Sequence, residues 1–530
     1  MKKIITLLLI VLLLSITGCA SNTVVENGNK TAKKPQKNVK YTDTITLLYS
    51  TSDTFNPYQA KTDINRQICK LLYEPLVKTD DGFKPHNAIA KSVKINKNIC
   101  TVELKQVSFS DGSDVTASDV IYSYNLAKKY STPYKYKLYE VISAEAQGSK
   151  VVFRLSQNDP YFANVLDFPI IKSGSDKKTD TDSVKFPPIG AGRYKLNSKN
   201  TALVLNDYYF GKSGNIKKIS LINSPDSESV SHRIEIGAAD LYYSDISDGI
   251  IPRMSGTKVN INLNNLIYIG VNHNNKKLSK VNIRQAISSA IDRDEITKNA
   301  YFNNAKSATG FFNPSWEEAK SLQNIQTTAN SEITIENLNE IGYNSLDGDG
   351  VRVKGNSSLR FSLLVNKENA MRVAAAKLIA SQLKKQEIKV TVIKVSFKEY
   401  KKRLKSGKFD LYLGEVKITE NMDLSQLILS DGAVAYGIKA VKNVKDTETD
   451  ETDTKTAKKK TFACSKVIKN FYDGKNSISD VAVTLQNDMP IIPVCYRTGV
   501  LFYNENIENL NMASASDIYF SINLYKMKKN

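Results

Sequence analysis

Apolar residues recur along this chain with two different periods, and each change of period marks an element. Thr44–Tyr49 reads as a strand, and Asn56-Pro57 ends the loop after it. Ile64 to Leu72 carries the apolar spacing of a helix. Ser92 to Ile95 and Ile99 to Leu104 predict two strands joined as a hairpin through Asn96-Lys97-Asn98. Thr116 is placed to cap a helix, with Asp119 three residues on and Val120 to Tyr124 carrying the helix forward. Val151 to Leu155 predicts a strand. The rigid run Pro187-Pro188-Ile189-Gly190-Ala191-Gly192 leads into another at Arg193 to Leu196. Asn265 to Val271 follows as a strand. Ile283, Ile287 and Ile291 then stand at successive i+4 positions and predict one helix face, and Asp292 with Glu295 resembles a second capping box.

The clearest alternation comes later. Leu359–Val365, Ile388–Val395 and Phe409–Leu413 read as strands, with helices over Ala370–Gln386 and Phe397–Leu404 between them. Strands alternating with helices predict an α/β fold with a largely parallel sheet. Asp347-Gly348-Asp349-Gly350 invites a calcium-loop reading, but no acid follows at the twelfth position, so a plain Asp-Gly turn is expected. Val441 to Thr461 breaks the pattern: Lys442 to Lys460 holds six Lys and five acids with scarcely an apolar residue. Such a stretch cannot bury enough surface to order itself, and it reads as a disordered surface insertion.

The amino terminus changes the picture of where the protein works. Lys2-Lys3 precedes an apolar run from Ile4 to Ile16, too short for a comfortable membrane span, and Ile16-Thr17-Gly18-Cys19 closes it. Residues 1–18 are expected to be a signal peptide. Cys19 stands where a bacterial lipobox places the lipid-modified first residue of the mature chain. Residues 19–40 hold several Lys, Asn and Thr and almost no large apolar residues, and read as a flexible tether.

Composition adds less. In 530 residues, 41% are hydrophobic and 24% charged, which excludes wholesale disorder and a coiled-coil rod. The net charge of +20 suggests an anionic partner, but loss of Lys2 and Lys3 with residues 1–18 leaves +18, and five more Lys lie in the tether. The remaining excess is scattered and shows no basic-aromatic motif, so no nucleic-acid partner is expected. Beyond Cys19, the cysteines are Cys69, Cys100, Cys464 and Cys495, without a CxxC pair; disulfides and buried thiols are both open. The only histidines are His86, His232 and His273, far apart, and no P-loop, GxSxG or HExxH motif occurs. These features predict no metal site, no cofactor and no enzyme.

Several motifs occur in an order that resembles the extracellular solute-binding proteins of bacterial ABC importers, specifically the oligopeptide- and dipeptide-binding family. They are Phe55-Asn56-Pro57-Tyr58; Tyr73-Glu74-Pro75-Leu76-Val77 running to the Asp80-Asp81-Gly82 turn; Phe109-Ser110-Asp111-Gly112 with Thr116-Ala117-Ser118-Asp119-Val120; Pro188 to Leu196; and Ile283-Arg284-Gln285-Ala286 through Ala290-Ile291-Asp292-Arg293. The resemblance covers roughly Thr44 to Phe502. It implies a type II periplasmic-binding-protein-like clamshell: two lobes, a smaller extra domain and a discontinuous first lobe, closing about a hinge of crossing strands. The implied division is lobe I at 41–75, 187–270 and 490–530, the extra domain at 76–186, and lobe II at 271–489.

The resemblance also implies a monomer held to the membrane through the lipid. It would capture peptides or similar small solutes between the lobes and deliver them to ABC permease subunits. A sensory or adhesion protein that keeps the clamshell without transport, and a binder of nickel or a metal chelate, are the alternatives. The chain departs from the family after Phe409-Asp410-Leu411. Where many members carry an Asp for the peptide α-amino group, Thr419 is nearest, with Glu420 beside it. Glu415 or Glu420 is therefore expected to supply negative charge to a cationic ligand end. Asp53 is a further candidate, and Tyr436 resembles a residue near the cleft.

Overall fold

The computed structural model describes residues 39–130, 133–177, 187–254, 256–322, 324–438 and 463–529. The expected signal segment, Cys19, the tether up to residue 38 and the 441–461 insertion lie outside the described residues. Residues 41–530 form a unit of their own, distinct from residues 1–40.

Two large hydrophobic cores organise it. One gathers Ile45, Ile68, Leu71, Phe109, Phe153, Ile219 and Tyr525. The other gathers Ile269, Ile287, Leu363, Ile379, Leu411 and Leu485. Strand Thr44–Tyr49 runs parallel to Lys218–Asn223, which continues antiparallel into Ala202–Leu205 and then Tyr194–Leu196. A second four-stranded sheet, all antiparallel, takes the order Ala90–Asn96, Ile99–Leu104, Lys150–Leu155, Val141–Gln147. The predicted hairpin is present: Asn96 faces Ile99, and Lys97 takes the positive φ of 52° that so tight a turn demands.

The third sheet corrects the expectation of a largely parallel arrangement. Its order is Leu241–Ser244, Ile491–Tyr503, Thr257–Val271, Leu411–Lys417, Arg360–Asn366, Lys389–Val395, with Ala305–Ser307 also paired to Ile491–Tyr503. Arg360–Asn366 is parallel to both Lys389–Val395 and Leu411–Lys417, while every other pairing is antiparallel. The reason is connection chemistry. Only these three strands are joined by crossover helices, Ala370–Lys385 and Phe397–Lys405, and parallel neighbours need such crossovers.

Thr257–Val271 and Ile491–Tyr503 are long because they serve both cores. Leu501 enters one core and its neighbours Val500 and Phe502 the other, as alternation along a strand requires. Their register runs from Thr257 opposite Tyr503 to Gly270 opposite Ile491, and it breaks between Asn262 and Asn265. Side chains hold that break. Asn262 N–H donates to Asp81 at 2.8 Å, Asn313 donates to the Leu263 carbonyl at 2.9 Å, and Asn264 donates to the Thr419 carbonyl at 3.0 Å.

Two local expectations are refined. The expected Ile283–Ile291 face is interrupted: the helix Val281–Ser289 carries Ile283 and Ile287, and Ile291 lies between it and a second helix, Arg293–Asn299. Asp292 accepts from Glu295 N–H at 2.7 Å and starts the second, but the Glu295 carboxylate turns to Gln382 instead of closing a box. Asp347 makes a plain turn: its carboxylate accepts from Asp349 N–H and Val351 N–H and pairs with Arg360. Cys69, Cys100, Cys464 and Cys495 are buried free thiols, and burial pushes each of them up from its ordinary pKa.

Candidate ligand-binding site

Lined mainly by elements of the first core, and reached by Lys417 and Glu420 from the end of a strand of the second, is a cavity of about 920 Å³. That is the size of a pocket for a small solute or a short peptide. Its main wall is the helix Asp63–Leu72, which Thr62 caps by accepting from Asn65 N–H. Ile68, Leu71 and Leu72 turn inward to the core, and the helix presents Asp63, Arg66, Gln67 and Lys70 to the cavity, with the buried Cys69 also in the lining. These four stand at i, i+3, i+4 and i+7, one face of a helix. The helix end is pinned from behind. Gly192 N–H donates to the Leu72 carbonyl at 3.0 Å, and a Cβ on Gly192 would lie 2.2 Å from the Leu72 carbonyl carbon. The Gly190–Gly192 loop thus has glycine where backbone meets backbone.

Other elements close the cavity. Tyr130, Tyr134 and Lys137 come from the segment after the helix Ala117–Lys129, and Asp167 from the loop after Phe162–Val165. The 515–517 loop, Leu263 and Asn265 of the crossing strand, and Lys417 and Glu420 complete it.

The charges are mostly matched within the protein. Lys78, buried, lies 2.8 Å from Glu74 and 2.9 Å from Asp517, and Lys78, with Arg193 and Lys70, holds the Asp517 carboxyl below its usual range despite its burial. Lys137 is buried between Asp167 and Glu420, 2.9 Å from the latter, and the two acids hold its ammonium protonated. The acids divide: desolvation raises Asp167, while Lys137 and Lys417 hold Glu420 low. Lys70 is different. Its ammonium donates to the Ala515 carbonyl at 2.7 Å, no carboxylate pairs with it among the described residues, and desolvation pulls it down to about 8.

Beside the cavity a polar seam joins residues 137–164 to the 418–423 loop. Asn164 donates to the Phe83 and Glu420 carbonyls, at 2.9 and 3.0 Å. Asn421 donates to Asp159 at 2.7 Å, and the Tyr139 and Tyr472 hydroxyls both donate to Asp423. Burial pushes Asp159 up to about 6. Burial, with the neighbouring Asp159 and Asp423 charges, pushes Glu140 up to about 8.

The residues singled out from the sequence fall in different places. Asp53 and Glu420 line the cavity. Asp53 also ties its own loop, accepting from the backbone N–H groups of Lys61 and Thr62 and from the Thr62 hydroxyl. Glu415 lies behind the wall, 2.7 Å from both Arg372 and Arg497, and accepts from Asn265. Thr419 turns its hydroxyl to Asn421 and its carbonyl to Asn264, and Tyr436 packs edge-on to Tyr412 at 6.4 Å; neither is in the cavity wall. Lys70, Lys137, Asp167 and Asp517 escaped sequence reasoning. The helical stripe 63-66-67-70, polar opposite an apolar face, was the one legible signal for Lys70. Lys137, Asp167 and Asp517 meet only through the fold.

Known proteins agree with this architecture. The oligopeptide-binding protein AppA of Bacillus subtilis is 26% identical over 405 residues, which are 72% of this chain and 74% of AppA. The solved structure of that AppA with a nonapeptide superposes with a TM-score of 0.57 at 21% identity, covering 92% of this chain and all of AppA. A nickel ABC transporter structure from Bacillus halodurans gives 0.70 at 19% identity, covering 91% of this chain and all of the other. The shared fold is the two-lobed clamshell of periplasmic binding proteins. The family model for bacterial extracellular solute-binding proteins, family 5 Middle, matches residues 84–430, well over half of the sequence, and the chain belongs to that family.

Proposed function

We propose that this protein is the lipid-anchored substrate-binding component of an ABC importer, which takes up a peptide or similar small solute in the 920 Å³ cavity and delivers it to a permease. One observation carries the ligand reading. The cavity wall takes the helix Asp63–Leu72 from one core and Lys417 and Glu420, at and just beyond the end of a strand of the other, and the strands Thr257–Val271 and Ile491–Tyr503 contribute to both cores. Closure of one core on the other about those strands would bury a bound solute. Likeness to AppA supports a peptide over other solutes.

Mass spectrometry of material that co-purifies with the protein, followed by thermal-shift screening of peptides, tests this. A ligand at a hundred times its dissociation constant should stabilise the fold by about 2.7 kcal/mol. A shift with nickel and histidine, and none with any peptide, would replace the peptide reading by a metal-chelate one. The anchor is tested separately. Cys19→Ala should release the protein from the membrane fraction and abolish labelling by a fatty acid; retention of both overturns the lipid assignment.

A further inference from the structure

We propose, resting on the reading of the cavity as the ligand site, that Lys70 and Lys417 form an anion subsite which holds a carboxylate of the ligand, and that Lys137 denies the adjoining acids to a ligand ammonium. Three acids lie near this end of the cavity: Lys137 already lies between Asp167 and Glu420, and Lys78 pairs with Asp517. A ligand amine there would have to displace a buried, doubly paired cation. Glu415 offers no substitute, because Arg372 and Arg497 clasp it outside the cavity.

Around Lys70, at this end of the cavity, the cations are in surplus. Lys70, Lys137 and Lys417 act electrostatically on the same neighbourhood as Asp167 and Glu420, three ammonium groups against two carboxylates. Lys78 and Arg193 do not alter this count, since together they face the two acids Glu74 and Asp517. An ammonium has three N–H donors. The Lys70 ammonium gives one to the Ala515 carbonyl and has no carboxylate partner among the described residues. A half-desolvated cation in a cavity wall, with a neutral carbonyl as its hydrogen-bond acceptor and no carboxylate in direct contact among the described residues, gains from any anion that arrives. A surplus of one positive charge fits a monoanion such as a carboxylate, and the exposed Lys417 supplies the second donor.

The test compares three pools of neutral tripeptides by calorimetry: free acids, C-terminal amides, and N-acetylated free acids. A fourth pool of amides carrying one Glu distinguishes a side-chain carboxylate from a terminal one. The wild type should lose about tenfold in affinity or more on amidation, as for a hydrogen bond to a charged group, and less than about twofold on N-acetylation. K70Q should bind the acids no better than the amides, and K417Q should show a smaller loss; melting curves confirm that both fold. Equal binding of acid and amide by the wild type, acid preference retained by K70Q, or a tenfold loss on N-acetylation each overturns the proposal. If no pool binds, the peptide reading fails by itself, and acylation of Lys70 followed by mass spectrometry decides the subsite. Protection by succinate but not by methylammonium upholds it, and no protection by succinate overturns it.

Discussion

Lys137 and Glu420 lie 2.9 Å apart, although 283 positions separate them in the chain, and both side chains are about nine-tenths buried. The pair ties the segment after helix Ala117–Lys129 to the loop after strand Leu411–Lys417, at the edge of the cavity. Taking one partner away leaves a buried charge without compensation, which costs far more than the intact pair contributes.

Lys137→Met should therefore destabilise the protein by about 3–5 kcal/mol, because two buried carboxylates lose their shared cation. Glu420→Gln should cost less, since Asp167 still pairs with Lys137 and the amide keeps an acceptor. Urea unfolding of both variants checks this; equal losses would show that the ion pair is not what joins these segments.

Glu140 makes stability depend on pH. Its carboxyl is raised from 4.5 to about 8 by burial and by Asp159 and Asp423, while Tyr139 and Gln157 donate to it. Between those two values the folded state holds a proton that the unfolded chain releases. Stability must fall as pH rises through the interval, by up to about 1.4 kcal/mol per pH unit for this group. Asp159, raised to about 6, adds a slope of the same sign at lower pH. Unfolding free energies across this range should decline for the wild type and decline visibly less for Glu140→Gln. Parallel curves would remove Glu140 as the cause.

Glu415 is a structural anion. Its carboxylate lies between Arg372 and Arg497, the latter 3% exposed. Glu415→Gln should lower stability by about 3–5 kcal/mol, by leaving two guanidinium groups facing each other, while ligand affinity of the folded fraction changes less than about twofold. Calorimetry with the co-purifying ligand at a temperature where the variant is folded would reveal any larger loss, which would place Glu415 in ligand contact.

Gly192 sets the position of the cavity wall. A methyl group there would stand 2.2 Å from the carbonyl carbon of Leu72, a backbone atom that cannot rotate aside. Gly192→Ala should cost about 1–3 kcal/mol or more and displace the end of the helix that carries Lys70. Gly148→Ala, where an added Cβ meets nothing but φ is +60°, is the control for backbone strain alone. A thermal melt in which the two variants match would show that close approach is not the reason for glycine at 192.

Local order was legible because it depends on local chemistry. Thr116 and Asp119 form the reciprocal cap their spacing predicts, and Thr44–Tyr49 begins and ends where its pattern does. Family membership was legible for a related reason: its motifs lie at turns and helix starts, where few residue types satisfy the backbone. The direction of the large sheet was not legible. A strand's side-chain pattern is the same whichever way its neighbour runs, and only the tertiary path of Thr257–Val271 made that neighbour antiparallel to Leu411–Lys417.

The same limit governed the site. Asp53 and Glu420 could be named from sequence as acids near a family motif, but their partners could not. Glu415 and Glu420 look alike five residues apart in the chain, yet one is clasped by Arg372 and Arg497 behind the cavity and the other faces Lys137 within it. Charge alone does not say whether an acid is free to meet a ligand. That depends on which cations the fold carries to within about 4 Å of it, where attraction and desolvation are both large. The sequence by itself determined the elements, their caps and the family. The tertiary structure decided which charges cancel and left Lys70 in the cavity wall with a carbonyl for its partner.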